Sequence, residues 1–512
     1  MSRKSILFNK IVYPFASLTD MIDQYADNHT DKQAVISQNE QITYSELKYR
    51  TNTIASNLQR LSVHIEDIVI IAMDKSINFI CAVIGVMKSG GAFLLLDVTL
   101  PDSILLEMIN QIDYKYIIGD GERFCSIKNY LNYESLLHSV LISENIKPDE
   151  HSLAYLLFTS GTTGKRKAAM IEYGGLVNQF WAWKDIYQIK ETDMVLQTAS
   201  VAFDVFISDI VTALCVGATL HIYPYNLAGK EISESDVMNL YSYLETYEIT
   251  CFHFTPVILR RFMEYLRSHL PLSKLRLAVV GGDTWHAAEQ NAFISLTNGQ
   301  IRIVNAYGVT ESTVDSTYFE GKYEGPYTNL GIIGQPFANT EIIIADNEGS
   351  IVDVGQIGEV YIAGYGVGRG YYHNESLTKA RFIPNTYTHT SKFVYKTGDL
   401  ACILPDGNIA FLGRSDRQVE VHSVRVELGE VEARIKSSGQ VNDAAVIYYN
   451  KRLYAYIIAN TKEVQFSRID SILPAYMRPY KYIIVEELPI TSNSKINVRE
   501  LERRVKDSYG HL

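Results

Sequence analysis

The sequence predicts an α/β protein in which a mostly parallel sheet, covered by helices, is joined to a smaller β-rich part. Three observations predict it. Short apolar runs at Ile68 to Met73, Ala92 to Leu96 and Leu153 to Phe158 alternate with helical patterns such as the apolar stretch around Phe79 to Met87, and strands that alternate with helices pair in parallel. From Gly355 to Tyr372 the pattern changes to glycine-punctuated strands, Gly358-Glu359-Val360-Tyr361-Ile362 and Gly366-Val367-Gly368-Arg369-Gly370-Tyr371, which indicates a β-rich subdomain. The 512 residues, 47% hydrophobic and 21% charged, suffice for several domains with large cores.

The net charge of −11 excludes nucleic acid and an anionic membrane as default partners, so any phosphate must be met by local lysines. Cys81, Cys125, Cys215, Cys251 and Cys402 lack metal-ligand spacing and read as reduced core residues of a cytoplasmic protein. Met1 to Lys10 is basic without a long apolar segment, and no run reaches transmembrane length, so neither a secretion signal nor a membrane span is expected.

In chain order, Leu18 to Leu61 reads as helix, a short strand at Ala34 to Ser37, and a second helix for which Ser45 is the expected cap. Lys88-Ser89-Gly90-Gly91 reads as a helix stop before the strand from Ala92. The strand ending at Phe158 then delivers Thr159-Ser160-Gly161-Thr162-Thr163-Gly164-Lys165-Arg166-Lys167. Glycines let the backbone curl so that several N–H groups meet one anion, the hydroxyls add neutral donors, and Lys165 and Lys167 offset negative charge, which suits polyphosphate. It is not the NTPase P-loop, whose first Gly and final Ser/Thr would fall where Thr159 and Arg166 stand.

Beyond the loop, Leu176 to Ile186 is an aromatic-rich helix whose Phe180, Trp181 and Trp183 are expected in the core. In Ala202 to Asp209 an apolar segment is broken by Asp204, a carboxylate that is costly to bury unless paired, or else a helix N-cap. The strands ending at Val280-Gly281-Gly282-Asp283 and at Asn305-Ala306-Tyr307-Gly308-Val309-Thr310-Glu311 should bring their loops to the phosphate loop, because sites in parallel sheets form beyond the carboxyl ends of strands.

The loop at Thr159 to Ala168 closely resembles the phosphate-binding signature of the adenylate-forming (ANL) superfamily, which includes acyl-CoA ligases, luciferases and the adenylation domains of nonribosomal peptide synthetases. That pattern is Thr-Ser-Gly-Thr-Thr-Gly-Lys-Pro-Lys-Gly, from which the chain departs at Arg166 and Ala168. The resemblance runs from about Tyr13 to Arg499. It implies a large N-terminal core, residues 1–414, a hinge at 415–417 with Asp416 absorbing rotation, and a small mobile α/β lid at 418–512. It implies ATP and Mg²⁺ as cofactors. Thr159 to Lys165, Asn305, Ala306, Tyr307, Thr310, Asp399 and Arg414 would bind ATP, and Glu311 the metal. Asn305 would lie at the adenine amino edge, Tyr307 against the base and Asp399 on the ribose. Thr162, Lys167 and Lys495 would carry catalysis, Lys495 bridging the substrate carboxylate and the α-phosphoryl group.

The branch resembled most is the amino-acid-activating one, in which the Phe-Asp motif at Phe203-Asp204 binds the substrate ammonium. The expected pocket is Asp204, Val205, Ser208, His253, Val279, Gly281, Ala306, Val314 and Asp315. Small residues make it roomy. Either Asp315 faces a donor or cation on the substrate, or His253 pairs with Asp315 and a large aromatic fills the space, so the expected substrate is a large polar, basic or aromatic amino acid. Transfer to a carrier protein's phosphopantetheine thiol would follow; no carrier segment follows Lys495, so the thiol is expected from another chain or a removed part. After the hinge, Glu420-Val421-His422-Ser423 replaces the family's Lys-x-Arg-Gly, and Ser494 a glycine, which bears on the lid's second orientation. The alternatives are an acyl-CoA or aryl-acid ligase of the same fold and a non-catalytic nucleotide-binding homologue.

Overall fold

The computed structural model describes residues 6–138, 145–161, 165–269, 272–388, 390–461, 463–489 and 496–509. Two large sheets dominate. In the seven-stranded sheet, Ala92–Leu95, Ile68–Ile71, Tyr116–Gly119 and Tyr130–Asn132 run parallel alongside Leu153–Thr159, while Lys167–Glu172 and Gly370–Tyr371 close one edge antiparallel. The fifteen-stranded sheet is parallel across Gln33–Ile36, Thr219–Ile222, Met194–Gln197, Cys251–Phe254, Leu277–Val280 and Arg302–Tyr307. It then turns antiparallel through Thr317–Glu320, Gly331–Pro336, Ile409–Arg414, Phe393–Ile403, Gly358–Gly364 and Thr340–Ala345.

The change of direction has a local cause. Residues 308–316 are too few for a crossover helix, so the chain folds back antiparallel, pairing Tyr307 with Thr317. The β-rich part is therefore continuous with the parallel sheet, and the segment that reverses the chain carries Thr310, Glu311, Val314 and Asp315. The C-terminal residues build separate sheets, a hairpin of Gln418–Val421 with Val424–Glu427 and a sheet of Val441–Tyr449, Arg452–Ala459 and Lys481–Ile484, around their own apolar clusters.

Helix Tyr44–Arg60 is capped by Thr43 rather than Ser45. Thr43 has extended backbone just outside the first turn, its hydroxyl accepts from the Glu46 N–H (3.2 Å), and the Glu46 carboxylate accepts from the Thr43 N–H (2.8 Å). Ser45 lies within the first turn, where its hydroxyl cannot reach those groups. Phe180 and Trp183 are in the core as expected, Trp181 only partly. Four of the cysteines are buried, but Cys125 is exposed. Among the described residues no helix is long and apolar enough to cross a membrane.

Lys88 ends helix Ile77–Lys88, which is buried on all sides. Its ammonium is 0% exposed and donates to Asp23 (2.5 Å) and Asn52 (2.6 Å), tying the helix to its two neighbours. Removing one partner of a buried ion pair leaves the other uncompensated, so Lys88→Ala should lose about 3–5 kcal/mol. Urea unfolding followed by tryptophan fluorescence checks this; an unchanged midpoint would show that the pair adds nothing.

Candidate functional site

The site begins where strand Leu153–Thr159, buried for most of its length, meets the strand that starts at Lys167 and pairs Thr159 with it. Ser160 and Gly161 are buried, Lys165 exposed, and Arg166 and Lys167 inward. A Cβ at Gly161 would lie 1.9 Å from the Lys165 carbonyl oxygen, so the chain can close here only through glycine. The Ser160 hydroxyl is buried and has no partner among the described residues, a donor left for a ligand. Thr162, Thr163 and Gly164 lie outside the described residues, as does Lys495.

Glu311 faces this loop from the turn Thr310–Ser312 and is fully buried. Its Oε1 accepts from Tyr371 (2.7 Å) and pairs with Lys167 (3.1 Å), while Oε2 pairs with Arg425 of the C-terminal hairpin (3.4 Å). Burial alone would raise its pKa, but Lys167 and Arg425 hold it well below the ordinary carboxylate range. Burial likewise lowers Lys167, with Glu311 resisting the shift. Gln418 accepts from Arg425 and donates to Glu427 (2.6 Å), which fixes the guanidinium on its hairpin.

A second cluster lies beside the first. Asp399 accepts from the Tyr307 hydroxyl (2.6 Å) and pairs with Arg414, which also holds Asp416 (2.7 Å). The buried Asn305 donates its amide to the Ile332 carbonyl (2.8 Å), and its own carbonyl oxygen is left to accept.

Asp204 sits at the start of helix Val205–Leu214, but its side chain caps nothing. One oxygen is buried with no partner among the described residues; the Thr310 hydroxyl serves the carboxylate. Burial, with Asp315 and Glu311 nearby, pushes its pKa up to about 6. Such a group calls for a cation. Val205 and Ser208 follow on the helix, His253 pairs in register with Val279, and Gly281 passes close to the Ala306 carbonyl. Thr313 and Val314 have φ of 62° and 67°, a left-handed backbone that costs about 1–3 kcal/mol per non-glycine residue and occurs where function demands it. They turn Asp315 to accept from Trp183 Nε1 (2.8 Å) and the Tyr187 hydroxyl (2.9 Å). His253 does not pair with Asp315: its Nδ1 faces Asp209, which is buried five residues beyond Asp204.

The structure brings Lys167, Glu311, Asp399 and Asp204, which the sequence reading named, close to Arg425, Tyr371 and Asp209, which it did not. For Asp209 a signal existed, since a carboxylate within the apolar helix Phe-Ile-Ser-Asp-Ile-Val requires a partner. Arg425 carried none, because nothing local places it beside a residue 114 positions earlier.

Arg166 and Glu420, two of the departures from the resembled pattern, meet partners. Arg166 lies against Glu430 (3.4 Å) and donates to the Tyr476 hydroxyl (2.7 Å), both in the C-terminal part; Arg434 joins Glu430 (3.0 Å) to Glu107 (3.3 Å). Glu420 is half-buried against Asp283, one of its oxygens enclosed, with Asp399 and Arg425 beyond, and desolvation and the neighbouring carboxylates raise its pKa well above the ordinary value. His422 and Ser423 form the hairpin turn with φ of 50° and 63°, and the second is a conformation glycine would take without strain.

The family model for AMP-binding enzymes matches residues 22–372. Gramicidin S synthase 2 of Brevibacillus brevis is 35% identical over 505 residues, 94% of this chain and 11% of that one; the chain thus spans about a tenth of that relative. Zwittermicin A synthase ZmaJ of Bacillus cereus is 31% identical over 94% of both chains. The solved NpsA-ThdA, an artificially fused adenylation-PCP di-domain from Klebsiella oxytoca, shares the fold, with a TM-score of 0.80 and 23% identity over 98% of each chain.

The Glu420 and Asp283 carboxyls face each other, so docking of the hairpin is expected to depend on pH. A carboxyl whose pKa is raised on docking favours the docked arrangement below 4.5, its ordinary value, and loses that contribution as pH rises through the raised one, at about 1.4 kcal/mol per pH unit. Energy transfer between dyes on the N-terminal sheets and on helix Val498–Tyr509 should therefore fall with rising pH in the wild type and stay level in Glu420→Gln. Equal pH dependence in both would contradict the assignment.

Proposed function

The chain belongs to the AMP-binding enzyme family, and we propose that within it the protein activates an α-amino acid with ATP and passes it to the phosphopantetheine thiol of a carrier protein. The observation that carries this reading is the buried Asp204 carboxylate, one oxygen of which has no partner among the described residues, the counterpart of a substrate ammonium. An acyl-CoA or aryl-acid ligase acting on an acid without an amino group would leave that oxygen unpaired. A non-catalytic homologue would have no use for a fully ionised Glu311 beside Lys167.

In the proposed reaction an oxygen of the amino-acid carboxylate attacks the α-phosphorus of ATP, the bond to the β-phosphate oxygen breaks, and pyrophosphate leaves with the electron pair. The chain's own task is positioning and charge stabilisation. Ser160, the loop amides and Lys167 hold the phosphates; the free carbonyl of Asn305 accepts from the adenine amino group; Asp399 accepts from the ribose hydroxyls. Lys495 bridges the carboxylate and the α-phosphoryl oxygens as charge builds. In the second step the thiol attacks the adenylate carbonyl and AMP departs.

Enzymes of this family use ATP and Mg²⁺. Glu311 fits a hard cation, being an oxygen donor held below the ordinary carboxylate range; among the described residues no group of three or more His, Cys, Asp or Glu is placed to hold a metal ion, so one carboxylate would be the protein's share. The cation, when bound, would neutralise charge on the phosphate oxygens. Arg425 holds the Glu311 Oε2 in the arrangement seen, so the proposed lid, residues 418–512 turning about Asp416, would yield that oxygen as it withdraws. Residues 1–414 form the proposed core.

Amino-acid-dependent ATP–pyrophosphate exchange tests the reading. Wild type should exchange with one amino acid; Asp204→Ala should lower kcat/KM about 10²–10³-fold by leaving the ammonium unpaired, and Lys495→Ala should abolish exchange. Exchange only with acids lacking an amino group would move the protein to the acyl ligases.

A further inference from the structure

Arg166 stands where the resembled loop pattern has proline, a residue with no donor to offer. It enters the strand one place before Lys167, and successive side chains of an extended chain point to opposite faces. Lys167 turns to Glu311; Arg166, 7% exposed, turns to the C-terminal part. Its Nε lies 3.4 Å from Glu430 Oε1 and its Nη2 donates to the Tyr476 hydroxyl (2.7 Å). Glu430 is fully buried on helix Leu428–Ser437, where Arg434 donates to the same Oε1 (3.0 Å) and reaches back to Glu107 on helix Asp102–Ile109 (3.3 Å). Arg166 and Glu107 belong to the proposed core, Glu430 and Arg434 to the proposed lid, so opposite charges alternate across the boundary.

Two features make these contacts a latch and not a fixed joint. The network is only partly satisfied: among the described residues Arg166 Nε, Arg434 Nη2 and Glu430 Oε2 are enclosed without a hydrogen-bond partner, which weakens its grip. Each half also keeps a counter-charge when the halves part. Glu107 is near enough to act on Arg166, and Glu430 stays beside Arg434 in its own helix, so separation exchanges partners instead of stranding a charge.

The latched arrangement has a place in the proposed reaction. In it Arg425 occupies Glu311 Oε2, the oxygen open to the cation, and a guanidinium and a divalent cation would repel each other there. ATP with its cation therefore disfavours the latched arrangement, which belongs after pyrophosphate and cation have left, when the thiol attacks. The hairpin that docks for that step carries Glu420 and His422 where the resembled pattern has Lys and Arg, and Arg166 returns one cation to the boundary from the other side.

Resting on the proposed two-step activation and its turning lid, we propose that Arg166 is a positioning residue of the second step: with Glu430, Arg434 and Tyr476 it latches residues 418–512 in the thiol-accepting arrangement, and the strength of this latch divides the protein between ATP binding and transfer. A weaker latch leaves more of the protein competent for ATP, so apparent ATP affinity rises while transfer slows. A residue that only supported the loop would lower both when replaced.

The test uses the full chain with dyes on the N-terminal sheets and on helix Val498–Tyr509, as wild type, Arg166→Gln, Tyr476→Phe and the double variant. Tyr476→Phe removes one hydroxyl and keeps the ring that packs on both sides. Energy transfer is titrated with ATP and Mg²⁺, and calorimetry gives ATP affinity and reports that each variant is folded. ATP–pyrophosphate exchange and aminoacyl transfer to free pantetheine read the two steps, with the amino acid that wild type activates. ATP with Mg²⁺ should lower energy transfer in wild type. Both single variants should start lower, bind ATP at least threefold more tightly, and lose at least fivefold in transfer relative to exchange; the double variant should match Arg166→Gln, since both changes break one contact. Energy transfer and ATP affinity like those of wild type in both variants, or equal losses in exchange and transfer, overturn the latch and leave amino-acid activation standing. Energy transfer in wild type that ATP and Mg²⁺ do not move overturns the latch as well. Exchange with no amino acid overturns the activation reading and, with it, the role in transfer.

Discussion

One buried carboxylate joins four separate parts of this chain. Glu311, on the segment where the large sheet turns from parallel to antiparallel, meets Lys167 from the loop strand, Tyr371 from the β-rich region and Arg425 from the C-terminal hairpin. A lone carboxylate at full burial would protonate or draw in water; two cations and a hydroxyl keep it ionised. Removing any one of them leaves a charge uncompensated, so the relative placement of the four segments and the ionisation of Glu311 sustain each other. Tyr371 also accepts from Lys167 (2.9 Å), which makes the cluster a closed ring of donors and acceptors.

The same logic applies to three carboxylates on neighbouring segments. Asp204, Asp209 and Asp315 are all raised by burial, and each has a different remedy: an unfilled valence and one hydroxyl for Asp204, an imidazole for Asp209, an indole and a phenol for Asp315. Asp204 and Asp209 each keep one buried oxygen without a hydrogen-bond partner among the described residues. Backbone strain at Thr313 and Val314 is what brings Asp315 to its partners, and the surrounding sheet holds it there.

The C-terminal part is bound to the rest through polar contacts more than through a shared core. Tyr476 packs against apolar clusters on both sides and takes the hydrogen bond of Arg166, a residue that stands where the resembled pattern has proline. Arg166, Arg434 and Glu430 form a clasp over the phosphate loop, and Glu420 against Asp283 gives the opposite side a protonation-dependent contact. An interface built from such groups is sensitive to pH and to ligands in a way that an apolar one is not.

Much of the fold was legible because alternating apolar strands and helices are a local pattern, as Ile68–Ile71, Ile77–Lys88 and Ala92–Leu95 illustrate. The cap at Thr43 was read two residues late, an error confined to backbone geometry that spacing does not reveal. The sequence by itself determined the α/β class and singled out Ser160 and Lys167 and the carboxylates at 204, 311 and 399, which stand before a helix, in the chain-reversing turn and within a strand. Tertiary structure alone decided which groups face one another: His253 on Asp209 instead of Asp315, Arg425 on Glu311, Arg166 on Glu430 and Tyr476. Those partners lie tens to hundreds of residues apart, and the energy that selects them is desolvation of buried charge, which exists only once the chain has closed around them.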